Sequence, residues 1–327
     1  MISVIVPAYN AARTLPACLR ALNNQTLPRQ EYEIIVVDDG STDDTPAVAR
    51  RYGARVVTQP NAGPAAARNR GVEMARGDLL LFTDADCVPA PDWIARLSAP
   101  FADPSVQGAK GVYCTHQPEL TARFVQLEYE GKYDRLRRQT RIDFIDTYSA
   151  AYRRSVFEAM GGFDSTLRIN EDVEFAFRVA EAGHRLVFVP GAAVSHTHDR
   201  TPIEYAVRKF WNGYTKTRVV RRHPGKIVRD SHTPQVIKLQ MALAGLGTAL
   251  LAMALLLWRR EPALAGLGAW LAVAASDAPL YRKIWRRDRP VLAIAPLLVL
   301  VRALALGFGL LAGFVRLLPA WRVEREA

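Results

Sequence analysis

Residues 79–87 read LLLFTDADC: four apolar side chains run straight into Thr83, Asp84, Ala85 and Asp86. A short apolar run of this kind fits a strand covered on both faces. Such a strand does not end on two carboxylates unless something answers their charge. The fold and the chemistry both depend on what surrounds that strand end.

Upstream, ISVIVPAYN (2–10) is a β-rich run closed by Pro7 and Asn10, and Leu15, Cys18, Leu19 and Leu22 then share a helical face. YEIIVVDDGSTDDT (32–45) is an apolar run ending in acids, with a helix expected over Thr45–Tyr52. ARVVTQ (54–59) reads as a strand, and GPAAARNRGVEMARG (63–77) as a helix with Pro64 in its first turn. Strands alternating with helices predict a parallel, doubly covered sheet. Ligands of such sheets bind at the carboxyl ends of the strands. Those ends carry Pro7–Asn10, Asp38–Asp43 and Thr83–Asp86, so three polar clusters converge on one edge. The first strand–helix turn is not G-x-G-x-x-G, which removes the main support for a dinucleotide-binding Rossmann fold.

Downstream, QGAKGVY (107–113) and FIDTYSAAY (144–152) read as strands, and SVFEAMGGFD (155–164) as a short helix closed by Gly161 and Gly162. NEDVEFAFRVAEAGH (170–184) is a helix, with Asn170 as its cap and Glu171 and Asp172 in its first turn. RLVFVPGAAVSHTHD (185–199) reads as two short strands, on which His196 and His198 share a face.

Aspartates spaced Asp-x-Asp after a buried strand suit a hard divalent cation, Mg²⁺ or Mn²⁺, with phosphate oxygens completing the shell. Alone, the pair is more readily an exposed turn. Beside Asp38 and Asp39 at the same edge, it calls for a cation or a ligand.

The ordered set VIVPAYN, VVDDGSTDDT, NAGPAAARNRG, LLLFTDADC, GGFD and NEDVEFAFR resembles the family-two glycosyltransferases, the inverting group with the GT-A fold, over residues 1 to about 200. The fold implied is α/β, a Rossmann-like mixed sheet followed by C-terminal transmembrane helices. The resemblance implies that Pro7, Ala8 and Tyr9 line the base pocket and that Asp39, backed by Asp38, accepts a hydrogen bond from the base. It implies that Gly63, Arg68 and Asn69 meet nucleoside and phosphates, that Asp84 contacts ribose or metal, and that Asp86 ligates metal. In Glu171-Asp172 it makes Asp172 the catalytic base. His196 is a further candidate metal ligand, His198 less so; a hydrogen-bonded or surface histidine is the plain alternative. Arg208, Lys209 and Trp211 are candidates to cover the diphosphate, with an amphipathic interfacial helix as the equal alternative. TYSAAYRR, with Ser149, departs from the family's usual Asn-containing segment and leaves acceptor contacts open. No Gln-x-x-Arg-Trp motif of processive members is present, which favours addition of one sugar.

The net charge of +11 is uneven: Arg200–Lys238 holds ten Lys or Arg and two acids. Without aromatic–basic interleaving, this argues for a membrane-facing segment and against nucleic acid. Cys18, Cys87 and Cys114 fit neither a disulfide framework nor a zinc site, so reduced thiols are expected. The N-terminus is already a strand, and no signal peptide is read there. Three apolar stretches follow, at 239–258, 262–281 and 291–315. The second is also readable as a re-entrant or interfacial hairpin. The loop 282–289, RKIWRRDR, has five basic residues. Positive-inside counting therefore puts residues 1–238 and 282–289 in the cytosol of a multi-pass cytoplasmic-membrane protein, with the C-terminus outside. Asp277 and Arg302 are costly in lipid unless they pair or lie at an interface.

The expected organisation is a catalytic domain at 1–200, a basic juxtamembrane segment at 201–238, a membrane region at 239–318 and a tail at 319–327. The expected function is metal-dependent transfer of one sugar from a nucleotide-diphosphate donor, UDP-linked before GDP-linked. The acceptor expected is a hydroxyl of a glycolipid or polyprenyl-linked saccharide. A bare polyprenyl phosphate is disfavoured because it leaves Asp172 no proton to remove. The alternatives are a nucleotidyltransferase using the same metal site and a non-catalytic membrane scaffold.

Overall fold

Val4, Ile5, Val6, Ile35, Val36, Leu80, Leu81 and Phe82 are wholly inaccessible to water, so three strands carry apolar side chains on both faces. Backbone pairing keeps such strands inside the molecule, where their amides have no other partner. The computed structural model describes residues 1–228 and 233–323. The chain order is β1 (Ile2–Ala8), α1 (Leu15–Asn23), β2 (Tyr32–Asp38), α2 (Thr45–Arg51), β3 (Arg55–Thr58), α3 (Pro64–Met74) and β4 (Leu79–Phe82). It continues through β5 (Val88–Pro89), α4 (Trp93–Ser98), β6 (Val106–Cys114), α5 (Leu120–Leu136), β7 (Ala150–Arg153), α6 (Arg154–Ala159), α7 (Glu171–Glu181) and β8 (Arg185–Ser195).

One eight-stranded sheet has the order β3-β2-β1-β4-β7-β6-β8-β5. Its first four strands are parallel; β7 then runs antiparallel to both β4 and β6, and β8 lies parallel to β6. The sheet is therefore mixed. Helix α3 lies close on it at Gly71, where a Cβ would stand 2.4 Å from Ile5 Cγ2.

Three local readings are corrected. Within FIDTYSAAY only Ala150–Arg153 is strand; Thr147–Ser149 form one 3₁₀ turn. Residues 185–195 form one strand, not two, with register shifts against β6 around Lys110/Val112. Asn170 does not cap α7 with its side chain; it takes a left-handed conformation (φ 67°), and the acids Glu171, Asp172 and Glu174 fill the first turn.

The chain divides into two units: Met1–His116 with Lys132–Thr197, and Gln117–Gly131 with His198–Ala327. Residues 117–131, assigned by sequence to the 1–200 domain, thus group with the second unit. That unit continues through α8 (Pro202–Arg222), α9 (Gly225–Val228), α10 (Gln235–Leu257), α11 (Arg260–Ala275), α12 (Ala278–Arg287) and α13 (Ala295–Val323). Helix α10 and residues Ala295–Arg316 are long and apolar enough to cross a membrane. The 262–281 stretch is not one helix: α11 and α12 meet at a 50° bend beside Asp277. The 282–289 loop is corrected to mostly helix, since Leu280 and Ile284, four residues apart, are both buried. Of the 319–327 tail, residues 324–327 lie outside the described residues.

Asp277 and Arg302 do pair. Arg302 Nη2 donates to Asp277 Oδ2 and Gln240 Oε1, both at 2.8 Å, and Nη1 donates to Glu128 Oε1 at 2.5 Å. Tyr205 and Lys209 hold the other Glu128 oxygen at 2.8 and 3.3 Å. Removing the guanidinium leaves the buried Asp277 and the mostly covered Glu128 short of a cation. Arg302→Met is expected to destabilise the protein by about 3–5 kcal/mol. A thermal melt in detergent checks this, and Asp277→Asn added to the variant should recover part of the loss.

Candidate active site

Parallel register brings the strand ends together: Ala8 stands opposite Asp38, and Ile5 opposite Phe82. Asp38 is buried and accepts from Ser41 N at 3.1 Å. Asp39 is also buried. Its Oδ1 accepts from Gln59 Nε2 (2.7 Å) and Ala62 N (2.9 Å), and its Oδ2 from Gly63 N (2.8 Å). Asp39 therefore organises the loop 59–63. Only glycine suits two positions there. Gly63 has φ +93°, and at Gly40 (φ +76°) a Cβ would stand 2.9 Å from Asn61 N. Tyr9 is about half exposed, and Ala8 O accepts from Asp39 N at 2.8 Å.

Arg68, on α3, answers the first question raised by LLLFTDADC. It is buried, and it donates through Nη2 to Asp84 Oδ1 at 2.7 Å and through Nη1 to Glu171 Oε1 at 2.6 Å. One guanidinium thus joins the end of β4 to the start of α7. Burial works against its charge, but Asp84, Glu171 and Asp172 more than offset this and hold it protonated.

Asp86 has a different partner. Its Oδ2 lies 3.4 Å from His196 Nε2, and its side chain is half exposed. Burial pushes its carboxyl up, but His196, its own backbone and Cys87 together hold it below the ordinary range. Asp84, Asp86 and Cys87 have ligand atoms within 4.8 Å of one another. Burial, aided by Asp84 and Asp86, pushes the Cys87 thiol well up, so it stays a neutral, weak donor. The carboxylate oxygens with the His196 nitrogen fit a hard divalent cation better than a soft one.

Asp172 is partly exposed at the first turn of α7. Its Oδ2 accepts from Thr147 N (3.1 Å) and Thr147 Oγ1 (3.4 Å). Burial, then Glu171 and Asp146, push its carboxyl up to about 7, against the pull of Arg68 and the Thr147 amide.

Several sequence candidates have partners of their own. Asn69 clamps the GGFD loop: Nδ2 donates to Phe163 O (2.7 Å), and Oδ1 accepts from Phe163 N (2.9 Å). Ser149 is buried between Trp93 Nε1 (2.8 Å) and Ala192 O (3.2 Å), a packing role. The histidines part company, because β8 ends at Ser195. His198 belongs to the second unit, where Nε2 meets Gln126 Oε1 at 3.0 Å. Arg208 pairs with Asp199 and Lys209 with Glu128, so both cations are already answered in that unit; Trp211 is exposed. Sequence reading missed Lys110, Lys132, Asp146 and Arg168. A lysine inside QGAKGVY carries no signal of burial, while the exposed Arg168 has its Cγ 3.9 Å from where a Gly63 Cβ would stand.

Residues 3–161 match the model of "Glycosyl transferase family 2". The chain is 32% identical over 197 residues to glycosyltransferase AglE of Haloferax volcanii, covering 57% of this chain and 64% of that protein. It is 29% identical to the O-antigen chain rhamnosyltransferase RfbN of Salmonella typhimurium, covering 65% and 71%. The chain thus spans slightly less than two thirds of the first relative's length. Among solved structures it is similar in fold to a mannosyltransferase, PcManGT, from Pyrobaculum calidifontis, solved with GDP-Man and Mn²⁺. There the TM-score is 0.63 at 22% identity, covering 96% of this chain and 86% of that one.

Proposed function

Since the chain belongs to glycosyl transferase family 2, we propose that it moves a single sugar, with inversion, from a nucleotide-diphosphate donor to a hydroxyl of a membrane-linked acceptor. The observation that carries this reading is the Asp84–Arg68–Glu171 bridge. It ties the carboxylate-bearing end of β4 to the helix start that bears Asp172. A donor-side acid cluster and an acceptor-side base are thereby held in one unit.

Asp39 fixes the loop 59–63, and a carboxylate with three bonds keeps room to accept one more from a base. Asp84, Asp86 and His196 would hold Mg²⁺ or Mn²⁺. Such a cation, when bound, offsets the negative charge growing on the departing diphosphate. Asp172 takes the proton of the acceptor hydroxyl as that oxygen attacks the anomeric carbon. Attack from the face opposite the leaving group inverts that carbon, as in other inverting carbohydrate enzymes. The relative named for O-antigen chain synthesis and the apolar helices α10 and α13 support a lipid-linked acceptor at a membrane. The catalytic unit faces the cytosol in this reading, by the basic charge of residues 200–238.

The test is a panel of UDP- and GDP-sugars with purified protein and a lipid-linked saccharide. Expected is release of nucleoside diphosphate with a labelled lipid product, lost on chelation and restored by Mg²⁺ or Mn²⁺. Release of pyrophosphate would assign a nucleotidyltransferase, and no turnover with any donor would leave a scaffold.

A further inference from the structure

Asp146 stands just before the 3₁₀ turn Thr147–Ser149 and is bound by two lysines. Lys110, on β6, is fully buried; its Nζ donates to Asp146 Oδ2 at 2.6 Å and to the Tyr148 hydroxyl at 2.9 Å. Lys132, at the end of α5, reaches the same Oδ2 at 3.3 Å and lies 4.2 Å from the Phe144 ring centroid. Two ammonium groups from separate elements thus converge on one carboxylate oxygen. The next residue, Thr147, presents its amide and hydroxyl to Asp172.

Resting on the reading of Asp172 as the base, we propose that Asp146 is a positioning residue for it. Clamped by Lys110 and Lys132, it holds the Thr147 amide against Asp172 and presents its own charge to that carboxylate. The electrostatics agree. Burial lowers Lys132 to about 7 and lowers Lys110, while Asp146 opposes both effects. Asp172 faces Glu171 on its own helix, Arg68 from α3, Lys110 from β6, Asp146 from the turn, and the buried Tyr152 hydroxyl from β7.

The experiment is the pH profile of kcat/KM for the full chain and for Asp146→Asn, Lys110→Met and Asp172→Asn. Asp146→Asn removes a negative charge that faces Asp172, so the acid limb should move down by about one pH unit. Lys110→Met removes a cation that faces Asp172, so the limb should move up by about half a unit. Unmoved limbs, or movement in one direction in both variants, would overturn the proposal. A merely structural Asp146 would lower rate and melting temperature without moving the limb. Should Asp146→Asn not fold, Lys110→Met decides alone: an upward shift supports the proposal, and anything else overturns it. Asp172→Asn separates the two readings. If it turns over like wild type, the base assignment falls; if it is inactive while the limbs stay fixed, only the role of Asp146 falls.

Discussion

Asp172→Asn should lower turnover by about three orders of magnitude and leave donor affinity nearly unchanged, because the amide keeps the shape and loses the base. The same variant should melt at a higher temperature than wild type at pH 8. The Asp172 carboxyl is pushed up to about 7 in the folded chain, chiefly by burial, from an ordinary value of 3.8. Between those values the folded state binds more protons than the unfolded one, so stability falls as pH rises through the window. Above it the folded chain carries an ionised, poorly solvated carboxylate that asparagine removes. Wild-type activity should correspondingly rise through about pH 7 as the base ionises. An inactive variant that is also less stable at pH 8 would contradict the electrostatic account. A fully active one would remove Asp172 from the mechanism.

Asp86→Ala is the second large effect. It should cut turnover about 10³-fold and abolish Mn²⁺ binding by titration calorimetry, with little change in melting temperature. The reason lies in the two different partners. Asp86 is half exposed, with His196 beside it, whereas Asp84 Oδ1 is bound to the buried Arg68. Asp84→Ala would strand that guanidinium and confuse folding with catalysis. Unchanged Mn²⁺ affinity in Asp86→Ala would move the metal site elsewhere.

Sequence carried the strand ends well, and for a simple reason. Runs such as VIV, IIVV and LLLF can be covered only inside a sheet, and the polar residues that follow them then stand at one edge. The bridge from Arg68 to Glu171 spans 103 residues and leaves no local trace. The same holds for Lys110: its burial depends on Asp146, 36 residues away. Asn69 reads as a polar helix residue near a nucleotide loop, yet both ends of its amide serve the Phe163 main chain. In 262–281 the apolar run with its one charge, Asp277, leaves a full span and a re-entrant hairpin both readable, and periodicity does not place the 50° bend at Ser276 and Asp277. What makes them a corner is Gln240 Nε2 donating to Ser276 Oγ at 2.8 Å, with Arg302 beyond.

The Arg302 hub also orders events during synthesis. Glu128 leaves the ribosome 174 residues before its guanidinium does, Gln240 62 residues before and Asp277 25 residues before. At ordinary elongation rates Glu128 waits roughly ten to thirty-five seconds for that cation. Until α13 arrives, the nascent helices cannot close around a neutral centre. Completion of the second unit therefore waits, for the helices made first, on the synthesis of α13.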